Sequence, residues 1–374
     1  MNFELNDEQA MLREAWRDLL RERAPIGAIR AQLGGEEDVD PELWRLAGQL
    51  GWLGLALPEE YGGADQGLVE LTLFAQETGR SLARGPFLPN AIVGRALAAA
   101  GSPQLRAEVL PALTAGSGWA TWAFAEPRAP WSLDGIRATA RTDGNSIVLD
   151  GVKTLVQDAG GARWLLVTAQ QDGSPRSFLV DRDTDGVTVR RQQVLDPSRG
   201  FYEVRLDGVR VPAGRRLADG PGELQQLMDT ASVLRCAEAL GAMERMLELT
   251  VEHAKVRVQF GRPIGSFQAV KHACADMALL VHGTRAATYY AAMAADADAD
   301  DAARAACAAA AYTAAGAGDV AGRALQLHGG IGFTWEHDLH LYLRRAEVDA
   351  VRYGDAATHR DRLCTLLQQS PISA

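Results

Sequence analysis

Residues 257–277 read RVQFGRPIGSFQAVKHACADM, and they place a cation and several amides where two long helical patterns break. Two glycines and a proline interrupt the pattern, leaving Arg257, Gln259 and the stretch Ser266 to Gln268 at a helix junction. A guanidinium beside helix N-terminal N–H groups is a donor set suited to a diphosphate. A plain inter-helix loop has the same look, so this segment alone decides nothing. Downstream, LQLHGGIGFTWEHDLHLYLRRA (residues 325–346) carries the pair Gly329-Gly330, which admits a planar ligand or another backbone at close range. The same stretch gathers His328, His337 and His340 with Glu336 and Asp338. No further cluster completes a coordination shell around them, so no metal is expected. A third segment, GWLGLALPEEYGG (residues 51–63), breaks a helical pattern with a proline and a glycine pair.

The elements that must position these segments fall into three textures. In the first third, Asn6 or Asp7 caps a helix with Met11, Leu12, Trp16, Leu19 and Leu20 at spacings of three and four. Further helices are expected from Pro41 to Gly51, Leu71 to Leu82 and Asn90 to Ala100. From Gly118 to Val211 seven short β-type runs alternate with turn residues: WATWAFA, GIRATA, SIVLDGVKTLV, RWLLVTA, SFLVDR, VTVRRQQV and FYEVRLDGVRV. So many runs in so short a span predict an antiparallel barrel or sandwich. After Pro221 the pattern is helical to the end, with helices expected over Glu223–Arg257, Phe267–Ala295, Asp301–His328 and Leu339–Ala350. The expected fold is mostly α with a middle β-domain: residues 1–117 helical, 118–215 β, and 216–374 a helical bundle.

Bulk properties narrow the function classes. A hydrophobic content of 47% supplies a substantial core, and a net charge of −10 without any basic run argues against nucleic acid or an anionic membrane as partner. The alanine-rich span from Ala286 to Ala324 is broken by ADADADD, which reads as two soluble helices joined by an acidic turn. No signal-peptide core opens the chain, and four separated cysteines with no CxxC pair fit reduced thiols, so a cytoplasmic protein is expected.

Taken together and in this order, the three segments resemble the acyl-CoA dehydrogenase family. The resemblance covers nearly the whole chain, and its most specific feature is QFGRPIGSFQ followed about sixty residues later by LHGGIGF. It implies an N-terminal helical domain, a middle β-domain and a C-terminal four-helix bundle, with FAD between the β-domain and the bundle. It implies α,β-dehydrogenation of an acyl-CoA or acyl-carrier-protein thioester, with the β-hydride passing to flavin N5 and an electron-transfer flavoprotein or similar acceptor downstream. Subunits pair as homodimers or homotetramers, each contributing to its neighbour's flavin site. By the same resemblance Arg257 and Phe260 match the adenosine and pyrophosphate contacts, and Gln268 a further one. Gln326, Gly329 and Gly330 match the stretch along the diphosphate and ribityl chain. Phe124 and Ala125 in WAFAEP, and Gln157 in KTLVQDAG, match the segments flanking the isoalloxazine ring.

Several positions depart from the family pattern. Ala125 stands where a hydroxyl residue usually bonds the flavin, Leu155 replaces a tryptophan, and Gln157 replaces a second hydroxyl. RAPWS, with Arg128 and Trp131, replaces the small residues after the EP pair. Trp131, Tyr353 and Arg235 form the expected substrate-binding set in a pocket unlike that of a straight-chain enzyme. The general base is missing. By the resemblance its usual positions fall on Tyr353 in VRYGDAATHR, or on Gly354 if no gap is allowed, or in a second group on Ala231 with Ser232 beside it. Two carboxylates can substitute. Glu238 lies seven residues beyond Ala231, hence on the same helix face about 10.5 Å away; its alternative role is a buried ion pair, with Arg235 as the partner. Asp355 lies beside the lost position; its alternative role is a helix cap. Tyr353, a phenol, is a poor base without a cationic neighbour. Otherwise the chain is the non-catalytic subunit of a heterotetramer whose homologous partner carries the base, or a flavin monooxygenase on the same scaffold.

Overall fold

The computed structural model describes residues 5–35, 37–129 and 131–369. Helix α1 (Asp7–Arg23) opens in a capping box: the Asn6 side chain accepts the Gln9 N–H at 2.8 Å, and the Asn6 N–H donates to the Gln9 amide oxygen at 3.1 Å. It is followed by α2 (Ile26–Ala31), α3 (Pro41–Gln49), α4 (Leu68–Ser81), α5 (Phe87–Ala100) and α6 (Pro103–Ala115). Neither α2 nor α6 was expected. The internal Pro111 hides α6 from a reading of periodicity, although Pro103 and the Ser102 cap start it well.

All seven β-type runs form strands: β1 (Ala120–Ala123), β2 (Thr139–Asp143), β3 (Ser146–Gln157), β4 (Trp164–Gln171), β5 (Ser174–Asp181), β6 (Val187–Gln192) and β7 (Phe201–Pro212). They make one sheet in the order β1-β4-β2-β3-β7-β6, with β5 also on β4. The expected antiparallel barrel is corrected to a mixed sheet. β1 runs parallel to β4, and Thr139 pairs with Gln170 in parallel, while the other pairs are antiparallel. The β2–β3 hairpin serves as the crossover that parallel pairing requires, and run lengths alone carry no information about strand direction.

The C-terminal helices are α7 (Pro221–Val256), α8 (Gln268–Asp296), α9 (Ala302–His328), α10 (Leu339–Asp349) and α11 (Ala356–Gln369), with the two-residue strands β8 (Val258–Gln259) and β9 (Arg262–Pro263) between α7 and α8. The acidic turn separates α8 from α9 as expected. No helix among the described residues is long and apolar enough to cross a membrane. α4 locks the N-terminal helices to α7 by backbone contact. A Cβ on Gly79 would lie 1.9 Å from the Glu238 carbonyl oxygen, and one on Gly241 would lie 1.8 Å from that of Gln76. Only glycine permits this approach, which holds Glu238 at a fixed height against the rest of the fold. Gly241→Ala is therefore expected to destabilise the chain by at least about 1–3 kcal/mol, measured by urea unfolding.

Candidate active site and cofactor clasp

The boundary between sheet and bundle is built from four segments. The first is the loop after β1, pinned by a buried ion pair. Glu126 accepts from Lys153 Nζ at 2.7 Å and from the Arg137 and Ala138 N–H groups at 2.9 Å each. Burial pulls the Lys153 ammonium down to about 8 even though Glu126 opposes that fall. The second segment is the end of β3, where Thr154 donates its N–H to the Ala125 carbonyl at 2.8 Å and Leu155 takes a left-handed φ of 52°. The third is the loop before β7, with Asp196, Ser198 and Arg199 buried. The fourth is one face of α10 and its exit, where Arg345, Asp349 and Arg352 follow at spacings of four and three.

These segments meet on α7 in a buried charge network. Glu238 Oε2 accepts from Arg199 at 3.0 Å, and its Oε1 accepts from Arg345 at 3.2 Å. Arg352 stands 3.8 Å from the same carboxylate. Arg199 also reaches Asp349 at 2.6 Å and Asp196 at 3.1 Å, while Arg345 donates to Asp196 at 2.7 Å and to the Ser198 hydroxyl at 2.7 Å. Burial alone would raise the Asp196 carboxyl, but Arg345 and Arg199 outweigh it and hold that group well below the usual carboxylate range. Three guanidinium groups thus balance three carboxylates in a space closed to solvent.

Both candidate bases have hydrogen-bond partners within the chain. Glu238 has each oxygen directed at a guanidinium. The ion-pair alternative holds, but with Arg199 and Arg345; Arg235 turns away and donates to the Asp349 carbonyl at 2.8 Å. Arg235 is fully buried there. Asp355 caps α11. Its Oδ1 accepts the Thr358 N–H at 2.8 Å and the Thr358 hydroxyl at 2.7 Å, and these bonds hold its carboxyl below the ordinary value.

The residues expected around a flavin separate into two groups. Phe124, Ala125 and Gln157 are buried against protein, with exposures of 1%, 5% and 5%. Gln157 accepts from Arg352 at 2.7 Å, and Trp131 lies parallel on Phe124 at 6.1 Å between ring centroids. Tyr353 packs edge-on to Trp131 at 5.2 Å. The second group lies at the far end of the bundle and is exposed: Arg257 at the end of α7, Phe260 at 91% exposure, Gln268 at the start of α8, and Gln326, Gly329 and Gly330 at the end of α9. Near this end three imidazoles meet in a row, one pair stacked and the other edge-on. His253 lies 4.5 Å from His328, and His328 lies 4.7 Å from His337, between centroids. Burial, followed by repulsion from His328, lowers the pKa of both His253 and His337. Among the described residues no group of His, Cys, Asp and Glu side chains is arranged to hold a metal ion. The residues that reading by type had missed are Asp196, Arg199, Arg345, Asp349 and Arg352. The three on α10 and its exit share a face, which was a readable signal, whereas the DPSRG loop offered none.

Comparison with known proteins fits this architecture. The N-terminal, middle and C-terminal domains described for acyl-CoA dehydrogenases match residues 6–117, 121–209 and 219–365. The chain belongs to the acyl-CoA dehydrogenase family, and is thus an oxidoreductase acting on CH–CH bonds with FAD as cofactor. It is 35% identical to acyl-CoA dehydrogenase IpdE2 of Mycobacterium tuberculosis over 92% of each protein. Among solved structures, a chain of the ChsE4-ChsE5 complex of Mycobacterium tuberculosis superposes with a TM-score of 0.92 at 30% identity, covering both chains completely. A chain of a Tcur3481-Tcur3483 steroid ACAD variant does so with a TM-score of 0.89 at 33% identity, over 97% of this chain and 98% of that one.

The two groups of residues expected around FAD present different surfaces. The exposed end fits a dinucleotide: Arg257 has no ion-pair partner among the described residues, Gly329 holds a φ of 62°, and neither Gly329 nor Gly330 has an atom within 4 Å of where a Cβ would stand. At the sheet–bundle boundary Gln157 is bonded to Arg352, Phe124 lies against Trp131, and Trp131 meets Tyr353.

Acid should test the packing around the last helix. Burial, reinforced by Arg235 and Arg362, depresses His359 from 6.5 to about 4. The unfolded chain then binds more protons than the folded one between those values, so stability present above pH 6.5 is lost as pH falls toward 4. His359→Gln is expected to lose less melting temperature than the wild type across that window, measured by calorimetry at matched ionic strength.

Proposed function

We propose that this chain is the base-less subunit of a heteromeric acyl-CoA dehydrogenase. It lends the dinucleotide clasp to a homologous subunit that supplies the ring crevice and the general base, and the pair dehydrogenates an acyl thioester. The observation that carries this reading is the state of the two nearby carboxylates: Glu238 is caged by arginines and Asp355 caps a helix. A homomer would lack a base in every subunit. A heteromer needs one base per composite site, and the exposed set around Arg257, Phe260 and Gly329 is what such a site takes from its neighbour.

The comparisons lend support in the same direction. Two solved structures at 30% identity or above, of ChsE4-ChsE5 and Tcur3481-Tcur3483, each pair two differently named chains, and the second is a steroid ACAD. We therefore favour a bulky, ring-containing acyl thioester over a straight fatty chain as substrate. Bound FAD supplies the hydride acceptor. This chain's part is to hold the diphosphate end with Arg257 and the open glycine backbone and to fix that end against α8. Re-oxidation falls to an electron-transfer flavoprotein or similar acceptor. The described cysteines are all free thiols, in keeping with a cytoplasmic setting.

Expressed alone, the chain is expected to carry little flavin and to lack turnover. Co-expressed with a homologue that has the glutamate before the loop glycine, it should co-purify in equal amounts as a yellow, active complex. Recovery of an active homomer would refute the reading. In the complex, Arg257→Ala is expected to weaken FAD binding roughly 10–100-fold, from loss of a charge-assisted bond, read by flavin retention on dilution. Glu238→Gln should leave turnover of the complex within about twofold while lowering the unfolding free energy of the chain by about 3–5 kcal/mol.

A further inference from the structure

A cavity of about 640 Å³ opens where α3 and the loop before it meet the sheet, and none of the residues assigned above to cofactor or base lines it. That volume is in the range of small-molecule sites. Three aromatic rings wall it: Trp44 from α3, Trp119 ahead of β1 and Tyr202 from β7. Each has its polar atom bonded within the chain. Trp44 and Trp119 donate their indole N–H groups to the Gly116 and Asp158 carbonyls at 3.0 Å each, and the Tyr202 hydroxyl donates to Asp38. The rings are left to offer carbon and π surface. Glycines bring this wall close: a Cβ on Gly160 or Gly200 would overlap the Tyr202 hydroxyl or the Asp38 carboxylate, and one on Gly161 would lie 2.7 Å from the Trp119 ring.

Two buried carboxylates line the same space, and they differ. Asp38 is engaged, paired with Arg191 at 2.5 Å and accepting from Tyr202. Asp158 is the most deeply buried of the lining residues, at 2% exposure. Its Oδ2 accepts from Gln157 at 2.9 Å, while its Oδ1 has no hydrogen-bond partner among the described residues. The charged groups around it leave that oxygen uncovered. Arg199 is bonded to Asp196, Glu238 and Asp349, and Arg84 donates to the Gln32 side chain and to the Gln32 and Glu37 carbonyls. Farther out, Arg45 bonds Gln49 and Arg182 bonds Asp183, with the Glu37 side chain exposed beside them. Burial pushes the Asp158 carboxyl up to about 7; the bond from Gln157 opposes the rise, repulsion from Asp38 adds to it, and Arg199 draws it back. A buried carboxylate oxygen without a donor is costly, and a charged donor is what best relieves it.

We propose that this cavity binds a small organic ammonium ion, its N–H groups donating to Asp158 and its cationic head resting on the Trp44, Trp119 and Tyr202 rings. Cation–π attraction over such rings suits an ammonium group. One positive charge fits, because one carboxylate is open and Arg45 and Arg182 repel a second cation. A metal such as calcium takes roughly six or more oxygen ligands, which this cavity does not supply with Asp38 already bonded. Binding ionises Asp158: the carboxyl proton leaves to solvent as the ammonium takes its place. The competent, ionised fraction grows as pH rises through neutrality, so affinity rises with it.

The test uses the full-length chain with benzylammonium as probe, read by calorimetric titration and by tryptophan fluorescence. The dissociation constant is expected to fall by about tenfold between pH 6 and pH 8, following the ionised fraction of Asp158. Asp158→Asn is expected to weaken binding roughly 10–100-fold and to abolish its pH dependence. Val189→Phe narrows the cavity from β6 and leaves the acid in place; it is expected to weaken binding at every pH, which tests the location even where Asp158→Asn does not fold. Absence of saturable binding at pH 8 would overturn the proposal. So would benzyl alcohol binding as tightly as benzylammonium, tighter binding of putrescine or calcium, or unchanged affinity in either folded variant.

Discussion

A balanced set of buried charges joins the middle sheet to the C-terminal bundle. Asp196 and Arg199 come from the loop before β7, Glu238 from α7, Arg345 and Asp349 from α10, and Arg352 from its exit, and each charge depends on a neighbour from another segment. Such a network is weak evidence for stability in itself, since an apolar core of the same volume is often as stable. Its physical effect is specificity of docking. Sliding the sheet relative to the bundle would strand several ions at once, whereas an apolar seam would tolerate the shift. The position of everything near the seam follows from that constraint, including the loop pinned by Glu126 and Lys153.

Two opposite surfaces result. Around the charge network the walls are closed and self-complementary. At the far end of α7 and α9 the chain offers a free cation, open glycine backbone and Phe260 held out at 91% exposure. The contrast between a sealed interior seam and an open outer end is the feature on which the proposed two-subunit reading draws.

The sequence announced the layout more readily than the seam. The seven β-type runs and the long bundle helices are set by local periodicity and turn chemistry, so they appeared where expected, within the usual uncertainty at the ends. Strand direction did not, because parallel pairing of Ala120–Ala123 with Trp164–Val167 depends on a crossover and not on composition. α6 was obscured by Pro111, which sits in a helix that packing sustains. In the site, the lack of a glutamate at the usual base positions was implied by the family resemblance, but the surroundings of Glu238 were not legible. An apolar helix carrying one carboxylate has the same pattern whether that group faces substrate or an arginine. Only the fold brings Arg199 from across the chain to decide it.

The contact between α4 and α7 has a bearing on how the chain is made. Residues 68–81 can complete their packing only against residues 221–256, so the N-terminal helices leave the ribosome long before the surface they need exists. Contacts so distant along the chain slow folding and leave apolar surface uncovered during synthesis. Chaperone capacity, and the timing with which any companion polypeptide is translated nearby, would then govern yield in the cell more than the final free energy of the folded state.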